Sequence, residues 1–461
     1  MKRKTFKVAT FTLFLGLGQL TLAQAIPGTL NWYNGEGVGM YTNKAYKLLK
    51  KKKSSEVVVA VIDSGVDIEH EDLKGKIWIN SKEIPNNKVD DDKNGYVDDV
   101  HGWNFLGNSK GENMNEARLE KTRILAKLSP KYDGINPQEI KSDAEYELYL
   151  EVLAAVEADR ANFEPYMDML NKGLLDAETA KYINDQMNFN LNPNYDDRAL
   201  IGDNPEDLND RNYGNPDVEG PDALHGTHVA GIIAANRTNN IGVEGVAENV
   251  KIMSVRTVPN GDEHDKDVAL AIRYAVDNGA KVINMSFGKG YSPKAQWVYD
   301  AMAYADSKGV LLVHAAGNDA KDVDVEPNFP TEKYDFQTTE LTHILTVGAS
   351  TRNDDESIIA GFSNFGKNQV DVFAPGFEIY NTVPQSAYMN LQGTSMAAPM
   401  VAGMAAMLSS YYPTLTMAQI RESIMKTVVV KKPLVDRCNT GGIVNVVKAV
   451  KYCNKLEKSK K

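Results

Sequence analysis

Gly393-Thr394-Ser395-Met396-Ala397-Ala398-Pro399, followed by the small apolar run from Met400 to Leu408, is the stretch on which the reading of this chain turns. A serine in a glycine-led turn at the mouth of a helix, with Pro399 in the first turn where a missing N–H costs little, exposes its hydroxyl beside unpaired backbone donors. Such donors suit a developing oxyanion. Taken alone, the stretch reads as an ordinary N-cap, because Ser and Thr accept from first-turn amides in a great many helices.

Two other stretches change that reading. Val57-Val58-Val59-Ala60-Val61-Ile62 is a short run rich in β-branched residues; it reads as a strand buried on both faces and ends in Asp63-Ser64-Gly65. A carboxylate there sits where open α/β sheets collect their chemistry, although by itself it reads as a turn-forming aspartate. His225-Gly226-Thr227-His228 opens a second small-residue helix, Val229 to Ala235. Two histidines three apart suit a metal, but no Cys or Glu stands at metalloprotease spacing, so zinc is the weaker reading.

Asp, His and Ser in this chain order is one of three unrelated orders that reach the same triad geometry. With DSG at 63–65, HGTHVAG at 225–231 and GTSMAAP at 393–399, the chain resembles the subtilisin-like serine proteases of bacterial secreted type over residues 56–106 and 222–450. The resemblance implies that Asp63 orients an imidazole, His225 acts as general base and then acid, Ser395 is the nucleophile and His228 is structural. It further implies a serine endopeptidase that cleaves protein or peptide substrates through an acyl-enzyme. The alternatives are a silent binding protein of the same fold and an esterase using the same triad. Against the latter, the serine lacks the G-x-S-x-G elbow and the chain order is wrong for the α/β-hydrolases.

From Val250 the chain alternates strands and helices: strand Lys251 to Val255, helix Asp267 to Asn278, strand Val282 to Ser286, helix Ala295 to Lys308, then strands Val310 to Ala315 and Ile344 to Ala349. That rhythm predicts an α/β fold of three layers, a mainly parallel central sheet with helices on both faces. Ser286-Phe287-Gly288 resembles the family's substrate-lining edge, where a bound peptide adds as a strand. Asn318, in Ala315-Ala316-Gly317-Asn318, matches the side-chain oxyanion donor; otherwise it is a turn residue.

Residues 107–221 interrupt this pattern. Tyr149, Val152, Leu153 and Val156 fall at i, i+3, i+4 and i+7, and Ile124, Leu125 and Leu128 repeat the idea, so several amphipathic helices are expected. Residues 107–220 hold 24 Asp and Glu against 12 Lys and Arg, equal to essentially the whole excess behind the chain's net charge of −11. Because the insertion lies between Asp63 and His225, its helices are expected near one rim of the cleft, where their acidity favours basic peptides; an acidic appendage that only aids solubility is the equal alternative.

Asp90, Asp92, Asn94, Gly95 and Asp98 reproduce the first part of a calcium loop without its distal Glu, so bound Ca2+ is expected there; a solvated acidic turn is the plain alternative. Residues 236–247 resemble a calcium-holding loop of the same family, with Asn239 and Asp72 around one ion. Cys438 and Cys453, an even pair in an exported chain, are expected to form a disulfide.

Residues 1–25 read as a secretory signal: Lys2, Arg3, Lys4 and Lys7, an apolar middle from Val8 to Leu22, and Ala23-Gln24-Ala25 as the exit. The middle is too short to serve as a membrane anchor, and a secreted or periplasmic monomer is expected. Residues 26–55 read as an N-terminal extension and 451–461 as a basic tail. With 42% hydrophobic and 25% charged residues the chain is globular, and its negative charge argues against nucleic acid as a partner.

Overall fold

The structure is a computed structural model that describes residues 28–135 and 143–460; the 1–25 segment lies outside them. Its strands are β1 (Val57–Asp63), β2 (Gly102–Asn104), β3 (Val250–Arg256), β4 (Val282–Met285), β5 (Leu311–Ala315), β6 (Ile344–Ser350), β7 (Val372–Pro375), β8 (Ile379–Val383), β9 (Ala387–Leu391), β10 (Val429–Val430) and β11 (Gly442–Ile443). Nine of them form one sheet in the order β10-β11-β7-β6-β5-β4-β1-β3-β2, and β8 and β9 form a separate hairpin. Every pairing in the large sheet is parallel except β10 with β11. β1 lies between β3 and β4, so the chain leaves it to build one side of the sheet and then crosses to build the other. The carboxyl ends of strands at such a switch point open into a crevice, and Asp63 ends β1 there.

The helices are α1 (Thr42–Leu49), α2 (Glu120–Tyr132), α3 (Ala144–Asn171), α4 (Ala177–Asp185), α5 (Leu224–Ala234), α6 (Asp265–Asp277), α7 (Ala295–Ser307), α8 (Thr394–Tyr411), α9 (Met417–Met425) and α10 (Val446–Ser459). α5 and α8 pack on one face of the sheet, with α1, α9 and α10 around them, and α6 and α7 pack on the other. α8 is apolar on all sides, which fits a helix enclosed by protein, and Met396 to Leu408 are buried throughout. Pro399 stands inside this helix and not in its first turn, so the Ser395 carbonyl loses its helical donor.

The N-terminal segment contributes Tyr33, Met40, Ala45 and Leu49 to the core on the α8 face. α10 runs on to Ser459 and buries Cys453. The expected disulfide is not formed, and both thiols are free. Each cysteine packs in a different apolar cluster, Cys438 beside Leu434 and Phe373, and Cys453 where its Sγ meets Ser423 Oγ at 3.3 Å. Nearness in sequence does not bring them together, because β11 and the start of α10 intervene.

In the insertion, α2 and α3 bury the two apolar stripes against each other. It is fastened to the core by buried ions. Arg198 binds Asp203 at 2.6 Å and Asp267 at 2.8 Å, and Lys266 binds Asp203 at 2.6 Å.

Candidate active site

Asp63 is 1% exposed, and its backbone carbonyl accepts from the N–H groups of Thr257 and Val258, which fixes the strand end. Its Oδ1 accepts from the Ser64 N–H at 2.8 Å and from His225 Nδ1 at 2.6 Å. An acceptor-only carboxylate places the proton on Nδ1 and leaves Nε2 free to take one. His225 is the second residue of α5, whose start lies so close to the Asp63 turn that a Cβ on Gly226 would stand 2.1 Å from the Gly65 carbonyl oxygen. Partial burial alone lowers the imidazole pKa, but the Asp63 charge and hydrogen bond outweigh it and the pKa rises above the ordinary 6.5.

Ser395, in the first turn of α8, shares one cleft with His225 and Asn318. Its Oγ donates to the Ser286 carbonyl at 3.1 Å and forms no hydrogen bond with His225. The contact expected between serine and imidazole is therefore open, and a turn about the serine χ1 is needed to close it. Asn318 follows β5, and its Oδ1 accepts from the Thr394 N–H at 2.8 Å and Thr394 Oγ1 at 3.0 Å. That orientation leaves Nδ2 without a partner among the described residues, beside Gly393. Thr394 is not singled out by sequence reasoning, although it stands inside the GTS motif.

The cleft has a volume of about 710 Å³. One wall is Gly261 to Glu263 and the other Ser286 to Gly288, so the second matches the edge expected from sequence and the first was missed. Among the described residues, Gly261 and Gly288 make no backbone hydrogen bonds. Two cleft walls, each with a glycine whose N–H and C=O are open, can take a peptide between them.

The insertion reaches this cleft through α4, whose Glu178, Lys181, Tyr182 and Asp185 line it. Asp185 accepts from Asn260 Nδ2 at 2.9 Å, and Asn190 Nδ2 donates to the Asn260 carbonyl at 3.0 Å, tying the insertion to the first wall. A second cavity of about 720 Å³ lies between α2 and the start of α6, away from Ser395 and His225.

His228 is buried with Nε2 near the carbonyls of Ile379 and Met389, and burial drops its pKa to about 3. It is a neutral link between α5 and the β8–β9 hairpin. Of the calcium-loop residues, Asp90 and Asp92 converge, but with Glu83, which no sequence signal marked; one oxygen of each lies within 4.8 Å of the others. Asp98 instead accepts from the N–H groups of Asn87 and Lys88, and Asn94 Nδ2 donates to Asp99. Asp72 and Asn239 meet at 2.7 Å, with the Val243 N–H 2.9 Å from the other Asp72 oxygen.

A parallel α/β sheet whose strand end carries an aspartate paired with a helix-borne histidine, across a cleft from a helix-borne serine, defines the class of serine-type peptidases. The chain belongs to the subtilase family, whose model matches residues 54–445. It is 38% identical to thermitase of Thermoactinomyces vulgaris over 235 residues, 50% of this chain and 75% of that one. It is 37% identical to subtilisin DY of Bacillus licheniformis over 204 residues, 44% of this chain and 69% of that one. Against a thermophilic serine proteinase of Bacillus sp. strain AK1 it is 38% identical over 219 residues, 47% of this chain, and the match spans only 49% of that relative's length. Among solved structures, a protease of Pseudoalteromonas arctica shares the fold, with a TM-score of 0.53 and 22% identity, covering 92% of this chain and 99% of that one.

Proposed function

We propose that the protein is an exported serine endopeptidase in which Ser395 attacks the peptide carbonyl, His225 takes and returns the proton, and Asp63 holds the imidazole. The observation that carries this reading is the 2.6 Å contact of Asp63 with His225 at the cleft that holds Ser395. The tetrahedral oxyanion is stabilised by Asn318 Nδ2 and the Ser395 backbone N–H. The Thr394 contacts support this, since they fix the Asn318 oxygen and leave its donor free. His225 then protonates the leaving amine, and water releases the acyl group by the same steps. The open backbone of Gly261 and Gly288 favours a peptide over a small ester. Hydrolysis of casein against short acyl esters tests this reading, with Ser395→Ala as control: casein cleavage retained in that variant contradicts it.

Glu83, Asp90 and Asp92 would hold Ca2+. Three carboxylates this close repel unless a cation lies among them, and an all-oxygen donor set suits a hard ion. Asp72 and Asn239 would hold a second ion once the Asn239 amide turned over, since its Nδ2 now donates to Asp72 and its oxygen accepts from the Ile241 N–H. The role of either ion is to fasten its loop. Export rests on the 1–25 segment, and N-terminal sequencing of the mature protein tests it.

A further inference from the structure

The wall of the cleft contains a carboxyl oxygen that no group among the described residues satisfies. Glu263 lines the cleft, is 2% exposed, and its Oε1 is buried without a hydrogen-bond partner. Buried polar atoms are nearly always paired, and an unpaired one calls for an explanation.

Cations do stand nearby, but they are already engaged. Lys289 Nζ donates to Glu120 and to the Glu263 backbone carbonyl, each at 2.7 Å, and pairs with Asp265 at 2.8 Å. The terminal nitrogens of Arg123 bind Glu120, Asp197 and the carbonyls of Arg118, Asp262 and Glu263. This cluster grips the main chain of the wall and leaves Glu263 Oε1 unpaired. The rest of the lining adds negative charge from Glu178, Asp222, Asp262 and Asp319, while Lys181, its one lysine, is bound to Asp185.

We propose that Glu263 is a specificity determinant that receives a lysine or arginine side chain of the bound peptide. This rests on the peptidase reading above. A peptide extended between Gly261 and Gly288 directs alternate side chains to one face, so a single position of the substrate meets Glu263. The cation supplies the missing donors, in a site dry enough for a charge-assisted hydrogen bond to count. In the free protein, burial raises the carboxyl's pKa, with Lys289 lowering it and Asp262 and Asp265 raising it. Binding a cation therefore releases a proton from Glu263 as the carboxylate forms.

The test is a set of fluorogenic peptides in which one position at a time carries arginine or the uncharged norleucine. At one position arginine should raise kcat/KM by about tenfold or more, and Glu263→Gln should bring that ratio close to one. Calorimetry of the Ser395→Ala protein in two buffers of different ionisation enthalpy should show more proton release with the arginine peptide than with its norleucine counterpart. His225 faces both peptides alike and cancels in that difference. Cleavage with no arginine preference anywhere, a ratio unchanged in Glu263→Gln, or equal proton release overturns the proposal and leaves the peptidase reading standing. Should Glu263→Gln not fold, the calorimetric difference decides. Failure of the wild type to cleave any peptide overturns the peptidase reading itself.

Discussion

Ser286 and Ser395 exchange hydrogen bonds: Ser286 Oγ donates to the Ser395 carbonyl at 2.9 Å, and Ser395 Oγ donates to the Ser286 carbonyl at 3.1 Å. The first bond exists because Pro399 has no N–H, which frees the carbonyl four residues earlier for a donor outside the helix. The end of β4 is thereby locked to the first turn of α8, and the cleft wall is set against the serine.

Removing that donor should cost stability. Ser286→Ala leaves a partly buried carbonyl without its donor, and an unfolding free energy lower by about 1 kcal/mol is expected in urea titration. Adding Pro399→Ala supplies a helical N–H to the same oxygen, so the double variant should be more stable than the sum of the two single effects. Strict additivity would count against this account of the lock.

Asp63→Asn should act on both rate and pH dependence. The substitution favours the wrong imidazole tautomer, and kcat should fall by about 10⁴, the size of the loss that the equivalent change causes in another serine protease. The base must be neutral, so activity falls as pH drops through the His225 pKa, which Asp63 holds above 6.5. Without that carboxylate the acid limb of the kcat/KM profile should move to lower pH. An unmoved limb would mean that the limb belongs to another group.

Calcium should stabilise the fold, since an ion bound only to the native state adds about 2.7 kcal/mol at a hundred times its Kd. Asp92→Asn removes one of three crowded carboxylates, so this variant should lose the part of the calcium gain that this site supplies while remaining as stable as wild type, or more so, in chelator. A Tm that does not differ between excess calcium and chelator, in the wild type, contradicts both proposed sites.

The fold was legible because its signals are local. β1, the helices now seen as α6 and α7, and the strands β3 to β6 each announce themselves by periodicity within a dozen residues, and each lies within two residues of its expected ends. The motifs carried Asp63, His225, Ser395 and Asn318 for the same reason. Glu263 was not legible, since its meaning comes from Arg123 and Lys289, distant in sequence; Glu83 stands only seven residues before Asp90, but outside the loop pattern, and joins it only because the chain folds back. α4 was missed because its short, polar sequence draws its contacts from the cleft it borders and from α3. The disulfide failed on the same ground, for pairing depends on where folding leaves two thiols and not on their spacing.

The thiols offer a direct check. Alkylation in denaturant without reductant should add two groups per chain, and native protein, with both sulfurs buried, should take up neither at a comparable rate. A chain that takes up no alkyl group when unfolded contains the disulfide after all.

Ser395 is proposed to be a nucleophile activated by the pair Asp63 and His225. This role is tested most directly by mass spectrometry after treatment with a fluorophosphonate. The expected result is one adduct per chain on the peptide containing Ser395, absent in Ser395→Ala and formed orders of magnitude more slowly in His225→Ala. An adduct on another residue, or labelling of Ser395 at the same rate without His225, would contradict it.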